Sequence, residues 1–459
     1  MPNGEAETME PAPLTREIAE FAAGIRTRGI PAEALATVRL GFTDCAAVLL
    51  AGRAEHATQA VLTFARGEGG HKESRLLLGN ERLPARLAAL VNSTAAHALD
   101  WDDYAFANHP SAVLVPTILA VAEASGGDGL AMAQAYVAGY EVWSAMMARE
   151  PDHLHSRGWH PTGLFGPIAA ATAAAVMMRL DARQARDAVA IAASHAGGVM
   201  ANFGTSTKPY HGGKAAEAGI TAARLARSGL DAGERAIEDR LGLLAALSPA
   251  GRVDRTTPMR LGQRWRILDS KLNIKKYPTV GASQRTIDSI LALTPRIDPA
   301  RVRKLIPWIS VKQSAVMPFH RPRTALEAKF SLEFATAAPL LRGKLGLAEL
   351  SDDFVRSPEL VALMAKVEAE KTEIYDPAYP VAAHEAWVRV QLDDGTEVKT
   401  PPVARATGHA DLPLPLEAIW GKFSDCAAAA GVTAAATRAL FDTMQRIDRL
   451  DSAAAIHDV

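Results

Sequence analysis

GLFGPIAAATAAAVMM, residues Gly163–Met178, contains no charged side chain and six alanines in sixteen positions. Alanine is the strongest helix former, and a helix without a polar face must be covered on all sides. Sixteen residues fall short of the roughly 20 that span a bilayer. The stretch therefore reads as a helix buried among other helices. Ala188–Thr207 is also uncharged but carries Ser194, His195, Gly197, Gly198, Asn202 and Gly204. It is too polar for a membrane span and is likewise predicted as a buried helix.

Outward from this stretch, the chain from Leu14 to about Leu247 favours helix. Leu14, Ile18, Phe21, Ala22 and Ile25 share one helical face. Val38–Leu50, Pro84–Leu99, Val113–Ala124, Ala131–Met147, Asp181–Ser194 and Ala215–Ser228 follow as further helices, the last stopped by Gly229. Strand-like alternation is hard to find before residue 265. Beyond it, Val302–Gln313 reads as a strand, and Trp387–Val398 alternates around Asp394-Gly395, a hairpin signal. Thr324–Leu341 and Pro358–Glu370 between them look helical, and Leu416–Leu450 returns to helix. The expected fold is mainly α. Its parts are a tail without order (1–13), a large all-helical domain (14–265), a smaller α+β lid domain (266–400) and a segment returning to the helical domain (401–459).

The 459 residues carry 50 Lys plus Arg and 51 Asp plus Glu. This balance leaves no global field for nucleic acid or anionic lipid, so a small anion would be held by local charges. Two cysteines, Cys45 and Cys426, exclude a disulfide framework and a cysteine-rich metal site. They fit a reducing, cytoplasmic setting. The first thirteen residues lack the basic and apolar regions of a signal peptide.

Five polar clusters could carry chemistry. Asp100, Asp102 and Asp103, with Tyr104 and then His109-Pro110, stand at the end of an apolar helix. They read as a solvated helix end, an acid–base site or a metal site. Glu141 and Glu217 are the only acids on the nearest candidate facing helices, which speaks against the metal. His153, His155 and His160 form a second group, without the spacing of a helical zinc motif. Thr205–Ala216, with Thr207, Lys208, His211 and Lys214, reads as a turn or an anion-binding loop before a helix. Lys275-Lys276-Tyr277-Pro278 and His320–Thr324 read as solvated linkers or as basic edges of a cleft.

Together these runs resemble the MmgE/PrpD (2-methylcitrate dehydratase) family. The matching stretches are Ala88–Asn92, His97–Asp103, His109–Ser111, Ala138–Glu141, His160–Gly163, Thr207–His211, Gly213–Ala216, Lys275–Pro278, Arg323-Thr324, Glu327–Ser331, Gly408-His409 and Lys422-Phe423. The resemblance covers about residues 14 to 450. It implies a homodimer acting on a small polycarboxylate, with no metal, no organic cofactor, no nucleic-acid partner and no membrane. It implies catalytic Asp100, His109, His160, Lys208 and Lys275, and substrate contacts from Tyr104, Thr207, His211, Lys276, Gln284 and Arg323. Tyr104 stands where a threonine is usual, in a segment one residue shorter than in the decarboxylase branch. Gln284 stands where many members have a histidine. The leading expectation is a 2-methylcitrate dehydratase-like hydro-lyase. A cis-aconitate decarboxylase, an iminodisuccinate epimerase-like isomerase and a non-catalytic helical binding protein stand as alternatives. Charge balance against a tricarboxylate makes His160 the main proton carrier, His109 the second, and Lys208 and Lys275 the carboxylate ligands.

Overall fold

A computed structural model describes residues 10–248 and 250–458. The longer helices of the first part are α1 (Leu14–Arg28), α2 (Ala34–Gly52), α3 (His56–Glu68), α4 (Ala85–Ala98), α5 (Pro110–Ser125), α6 (Gly129–Met147), α7 (Pro161–Met177), α8 (Ala182–Ala193) and α9 (Thr207–Arg227). The alanine-rich stretch is α7, and every one of its residues is buried. Its neighbours are α5, α6, α8 and α9. Small side chains let these helices approach closely, so a core with few bulky residues still excludes water. Helix α2 is long and apolar enough to cross a membrane, but here it packs against α4 and the Leu416–Ala429 helix.

Eight strands are short: β1 (Ser74–Arg75), β2 (Arg82–Leu83), β3 (Val302–Ser310), β4 (Glu370–Thr372), β5 (Tyr375–Asp376), β6 (Tyr379–Ala383), β7 (Trp387–Leu392) and β8 (Glu397–Lys399). The one four-stranded sheet runs β4-β3-β7-β8, with β3 parallel to β4 and antiparallel to β7. The β7–β8 hairpin turns at Asp394-Gly395, with Gly395 at φ 84°. Apolar side chains of the sheet and of the Gln284–Leu291 and Leu332–Arg342 helices build a second core from Tyr277 to Leu392. The first core runs from Ala12 to Ile274 and takes in Ile419–Ile456 of the C-terminal segment.

Several expectations are corrected. The β1–β2 pair lies before residue 265. Of the proposed tail, residues 1–9 lie outside the described residues; beyond them, Ala12 is buried and donates its N–H to Arg255 O at 2.9 Å. Ala188–Thr207 is not one helix: α8 ends at Ala193, and glycines take the chain through a loop. Lys329–Ser331 break Thr324–Leu341, where Ser331 caps a new helix by accepting from Phe334 N–H. Pro358–Glu370 ends as helix at Met364 and enters β4.

The most consequential correction is at Thr205–Ala216, read as a turn or an anion-binding loop before a helix. Helix α9 starts at Thr207, so Lys208, His211, Gly212 and Gly213 lie inside it. The two glycines serve close packing. A Cβ on Gly213 would stand 2.2 Å from Thr94 Oγ1 and 2.6 Å from Leu90 O of α4. Bare backbone here lets α4 and α9 touch and brings Lys208 against His97.

Candidate active site

Both His109 and His160 precede proline at a helix start, α5 and α7 respectively. A residue before proline is driven out of the helical region; His109 has ψ 72° and His160 ψ 102°, both non-helical. Each imidazole thus leaves the helix axis at its N-terminus. Asp100 follows α4 at φ 51°, a left-handed conformation that aspartate tolerates better than most residues. Its carbonyl accepts from Lys275 Nζ at 2.6 Å, which holds the turn.

The Asp100 carboxylate lies between two ammonium groups, Lys208 Nζ at 2.5 Å and Lys275 Nζ at 3.1 Å. Burial alone would raise Asp100, but the two lysines outweigh it and hold the carboxyl below its usual range. Lys208 also reaches His97 Nε2 at 2.9 Å. An ammonium has three N–H donors; Lys208 spends two on Asp100 and His97, and Lys275 spends one on the Asp100 carbonyl, so each keeps at least one for a ligand. Phe203 and Phe330 flank Lys208, with ring centres 5.4 and 5.3 Å from Nζ.

Asp102 Oδ2 takes Nδ1 of His97 at 2.9 Å and Nδ1 of His109 at 2.8 Å. Burial opposes the charge, but His109 and His97 together hold Asp102 well below the usual carboxylate range. An ionised Asp102 places a hydrogen on His97 Nδ1; His109 Nδ1 faces both Asp102 Oδ2 and the Asp103 carbonyl, 3.2 Å away, and since both are acceptors it carries a hydrogen as well. His97 Nε2 then accepts from Lys208, while His109 keeps a free Nε2. Burial pushes His97 down to about 3, against the pull of Asp102. Burial also lowers His109, again opposed by Asp102. His160 pairs with His211, Nδ1 to Nδ1 at 3.0 Å. Burial, then Lys208 and the neighbouring imidazoles, holds His160 well below its ordinary value, with no carboxylate opposing them.

Asp100, His109, His160, Lys208 and Lys275 line one cavity of about 590 Å³. Its walls come from both parts of the chain: Phe203 from the helical part, and Val280–Ala282, Arg285, Phe330 and Val381 from the part beyond residue 265. Tyr104 also lines it; its backbone pairs with Asn273 through two N–H···O bonds of 3.0 and 2.9 Å. The other expected substrate contacts do not reach the cavity. His211 stands behind His160. Thr207 opens α9 and does not line it. Lys276 lies over the Tyr277 ring, 3.9 Å from Asp288. Arg323 projects into solvent and pairs loosely with Glu327. Gln284 is buried as a brace: Oε1 accepts from Tyr277 N–H at 3.1 Å, and Nε2 donates to Tyr277 O and Thr279 O at 3.0 and 3.2 Å.

The sequence offers Asp102 only as one of a cluster of acids, and does not mark His97, Lys329 or Arg285 as site residues. His97 and Asp102 straddle the end of α4 five residues apart, and only the αL turn at Asp100 brings them face to face. Lys329 donates to Ala98 O at 3.1 Å, a cation at the negative end of α4. The three aspartates of the cluster diverge: Asp103 accepts from Ser111 N–H at 3.4 Å, and burial pushes its carboxyl well up. Glu141 and Glu217 are engaged elsewhere, by Arg266 and Ile267 N–H and by Arg86. Nitrogens of His97, His109 and His160 come within 4.8 Å of one another, as do ligand atoms of His97, Asp100, Asp102 and His109. Lys208 and Lys275 already engage Asp100 there, and both His97 nitrogens are committed.

The cavity between the helical and the α+β parts thus gathers imidazoles and ammonium groups, side chains able to exchange protons and to hold an anion. The chain belongs to the MmgE/PrpD family: the family's N-terminal domain matches residues 16–256 and its C-terminal domain residues 277–446. Human cis-aconitate decarboxylase is 30% identical over 356 residues, 74% of this chain and 72% of that protein. The cis-aconitate decarboxylase of Aspergillus terreus is 24% identical over 458 residues, 92% and 91% of the two chains. A cis-aconitate decarboxylase-like protein of Aspergillus oryzae is 28% identical over 422 residues, 84% and 85%.

Proposed function

We propose that this protein is a carboxy-lyase that decarboxylates a cis-aconitate-like tricarboxylate without a metal or organic cofactor. Dehydration of 2-methylcitrate led the sequence reading; the decarboxylase relatives move the preference. The observation that carries it is the Asp100-held lysine pair lining one cavity with His109.

The chemistry sets what the site must do. Of the three carboxylates of cis-aconitate, only the one on the CH₂ group is β,γ to the double bond. Breaking that C–C bond releases CO₂ and leaves an allyl carbanion, delocalised onto the carbon that bears another carboxylate. One proton there completes methylenesuccinate. The charge that builds up is stabilised by Lys208 and Lys275, whose remaining N–H groups meet substrate in a dry site. Asp100 keeps their net charge at +1 and their positions fixed.

For the proton we favour His109 over His160. Asp102 supports a protonated His109, whereas His160 has only neutral or cationic neighbours. A bound trianion raises the proton affinity of both, and His109 starts from the better position. His160, backed by His211, then serves as a neutral hydrogen-bonding wall.

Purified protein incubated with cis-aconitate should release one CO₂ per methylenesuccinate formed, and EDTA should leave the rate unchanged. Conversion of 2-methylcitrate to an unsaturated acid without CO₂ would return the reading to a hydro-lyase. The homodimer implied by the family resemblance belongs to this proposal, and the mass in solution tests it.

A further inference from the structure

Buried cations in the cavity wall are paired with acids, with one exception. Lys208 and Lys275 share Asp100. Arg285, 7% exposed, has no carboxylate within 4.0 Å among the described residues. Its guanidinium is held by neutral acceptors instead: Nη1 donates to Ala383 O at 2.9 Å and Ala404 O at 3.3 Å, and Nη2 to Gln313 Oε1 at 3.1 Å. The nearby Arg405 takes the acids of this region, Asp376 at 2.7 Å and Asp411 at 3.4 Å. A buried charge without a counter-charge is costly, and a ligand that supplies the counter-charge recovers that cost on binding.

Tyr104 stands beside it. Its ring lies over Gly281, where a Cβ would meet Cε1 and Cζ at 3.4 Å. Its hydroxyl makes no hydrogen bond to another described residue. Burial pushes the phenol up to about 12, with Arg285 pulling against it, so it remains a neutral donor. Lys275 and Arg285 sit at the two ends of one segment. Gln284 ties that segment at Tyr277 and Thr279, which fixes the spacing between the two cations.

We infer that Arg285 and the Tyr104 hydroxyl form a second carboxylate seat in this cavity, and that this seat selects polyacids whose far carboxylate reaches it. The inference rests on the polycarboxylate reading above and names the residues that would enforce it. It predicts discrimination between acids of the same skeleton that differ in one terminal carboxylate.

Binding tests it without turnover. Tricarballylate has three carboxylates and no double bond, so it cannot lose CO₂ through an allyl anion. Methylsuccinate is the same skeleton with one terminal carboxylate replaced by hydrogen. By calorimetric titration, Arg285→Gln should weaken tricarballylate tenfold or more and methylsuccinate less than twofold. Equal losses for the two ligands, no loss, or no tricarballylate binding by the wild type would overturn the seat. Arg285 also braces two carbonyls, so Arg285→Gln could misfold. Tyr104→Phe removes a hydroxyl that binds no protein group, and it carries the test alone in that event. A loss confined to tricarballylate supports the seat, and an equal response to both ligands rejects it. If the differential holds but cis-aconitate is not decarboxylated, the reaction assignment alone falls. If decarboxylation holds and the differential is absent, the seat alone falls.

Discussion

His109 and His160 occupy equivalent places, each before a proline at a helix start, yet their surroundings differ by one carboxylate. Asp102 lies 2.8 Å from His109, and among the described residues no carboxylate lies within 4.0 Å of a His160 ring nitrogen. His109→Gln should therefore lower kcat by about 10²–10⁴-fold, the scale for losing a general acid. His160→Gln should act more on KM. A larger kcat loss at His160 in steady-state assays would reverse the two roles. His97 makes a separate prediction about pH. Its proton affinity falls to about 3 in the fold, from an ordinary value of 6.5. Between these values the unfolded chain binds a proton that folded His97 refuses. The associated stability is complete above pH 6.5 and is lost as pH falls toward 3. His155 and His211, pushed by burial to about 3 and about 4, act in the same direction. Melting temperatures measured from pH 7 to 4 should fall steeply for the wild type. The fall should be shallower for His97→Gln, which keeps one donor and one acceptor; an unchanged slope would clear His97 of this role.

Between elements, the α4–α9 contact places Lys208. Gly213 faces Thr94 and Leu90 with no room for a methyl group, and Lys208 lies about a turn and a half earlier on the same helix. Gly213→Ala should push the helices apart, at about 1–3 kcal/mol for an overpacked site. It should also lengthen the Lys208–His97 contact. Both effects are readable, the first by urea denaturation and the second as reduced kcat in a folded variant. A stable variant of full activity would show that the helices can shift without cost.

Across the whole molecule, the C-terminal segment reaches back to the site from a distance of more than 300 residues in sequence. Lys422 of the Leu416–Ala429 helix donates to Asp44 Oδ1 at 2.6 Å, Trp101 O at 2.7 Å and Lys275 O at 3.1 Å. One ammonium thus joins α2, the Asp100 turn and the segment that carries Lys275. Burial raises the Asp44 carboxyl in spite of Lys422. Asp44 can therefore take up a proton once its partner is gone, which limits the damage. Lys422→Met should destabilise by about 3 kcal/mol, the low end for breaking a buried pair. Chemical denaturation checks the value, and a loss below about 1 kcal/mol would show that the tie is dispensable.

Periodicity and composition carried the helical first part, the late hairpin at Asp394-Gly395 and the return of the C-terminal segment, because burial of an apolar face leaves a local pattern in the chain. The His-Pro pairs and the aspartate cluster were legible for a similar reason, since proline and a run of acids restrict their immediate neighbours. Gln284, Lys276 and Arg323 show where local pattern stops. Each lies in a motif-like run, and each turns away from the cavity to brace a turn, cover a ring or meet solvent. Direction of a side chain depends on which core its segment joins. That is settled by packing between residues far apart in sequence: Gly213 against Thr94, Lys422 against Lys275, Arg285 against Ala383. The pairing of Asp102 with His109, and the absence of any such partner at His160, arise in the same way. The chain alone names two candidate histidines, and the packed structure, by putting one carboxylate beside one of them, separates their chemistry.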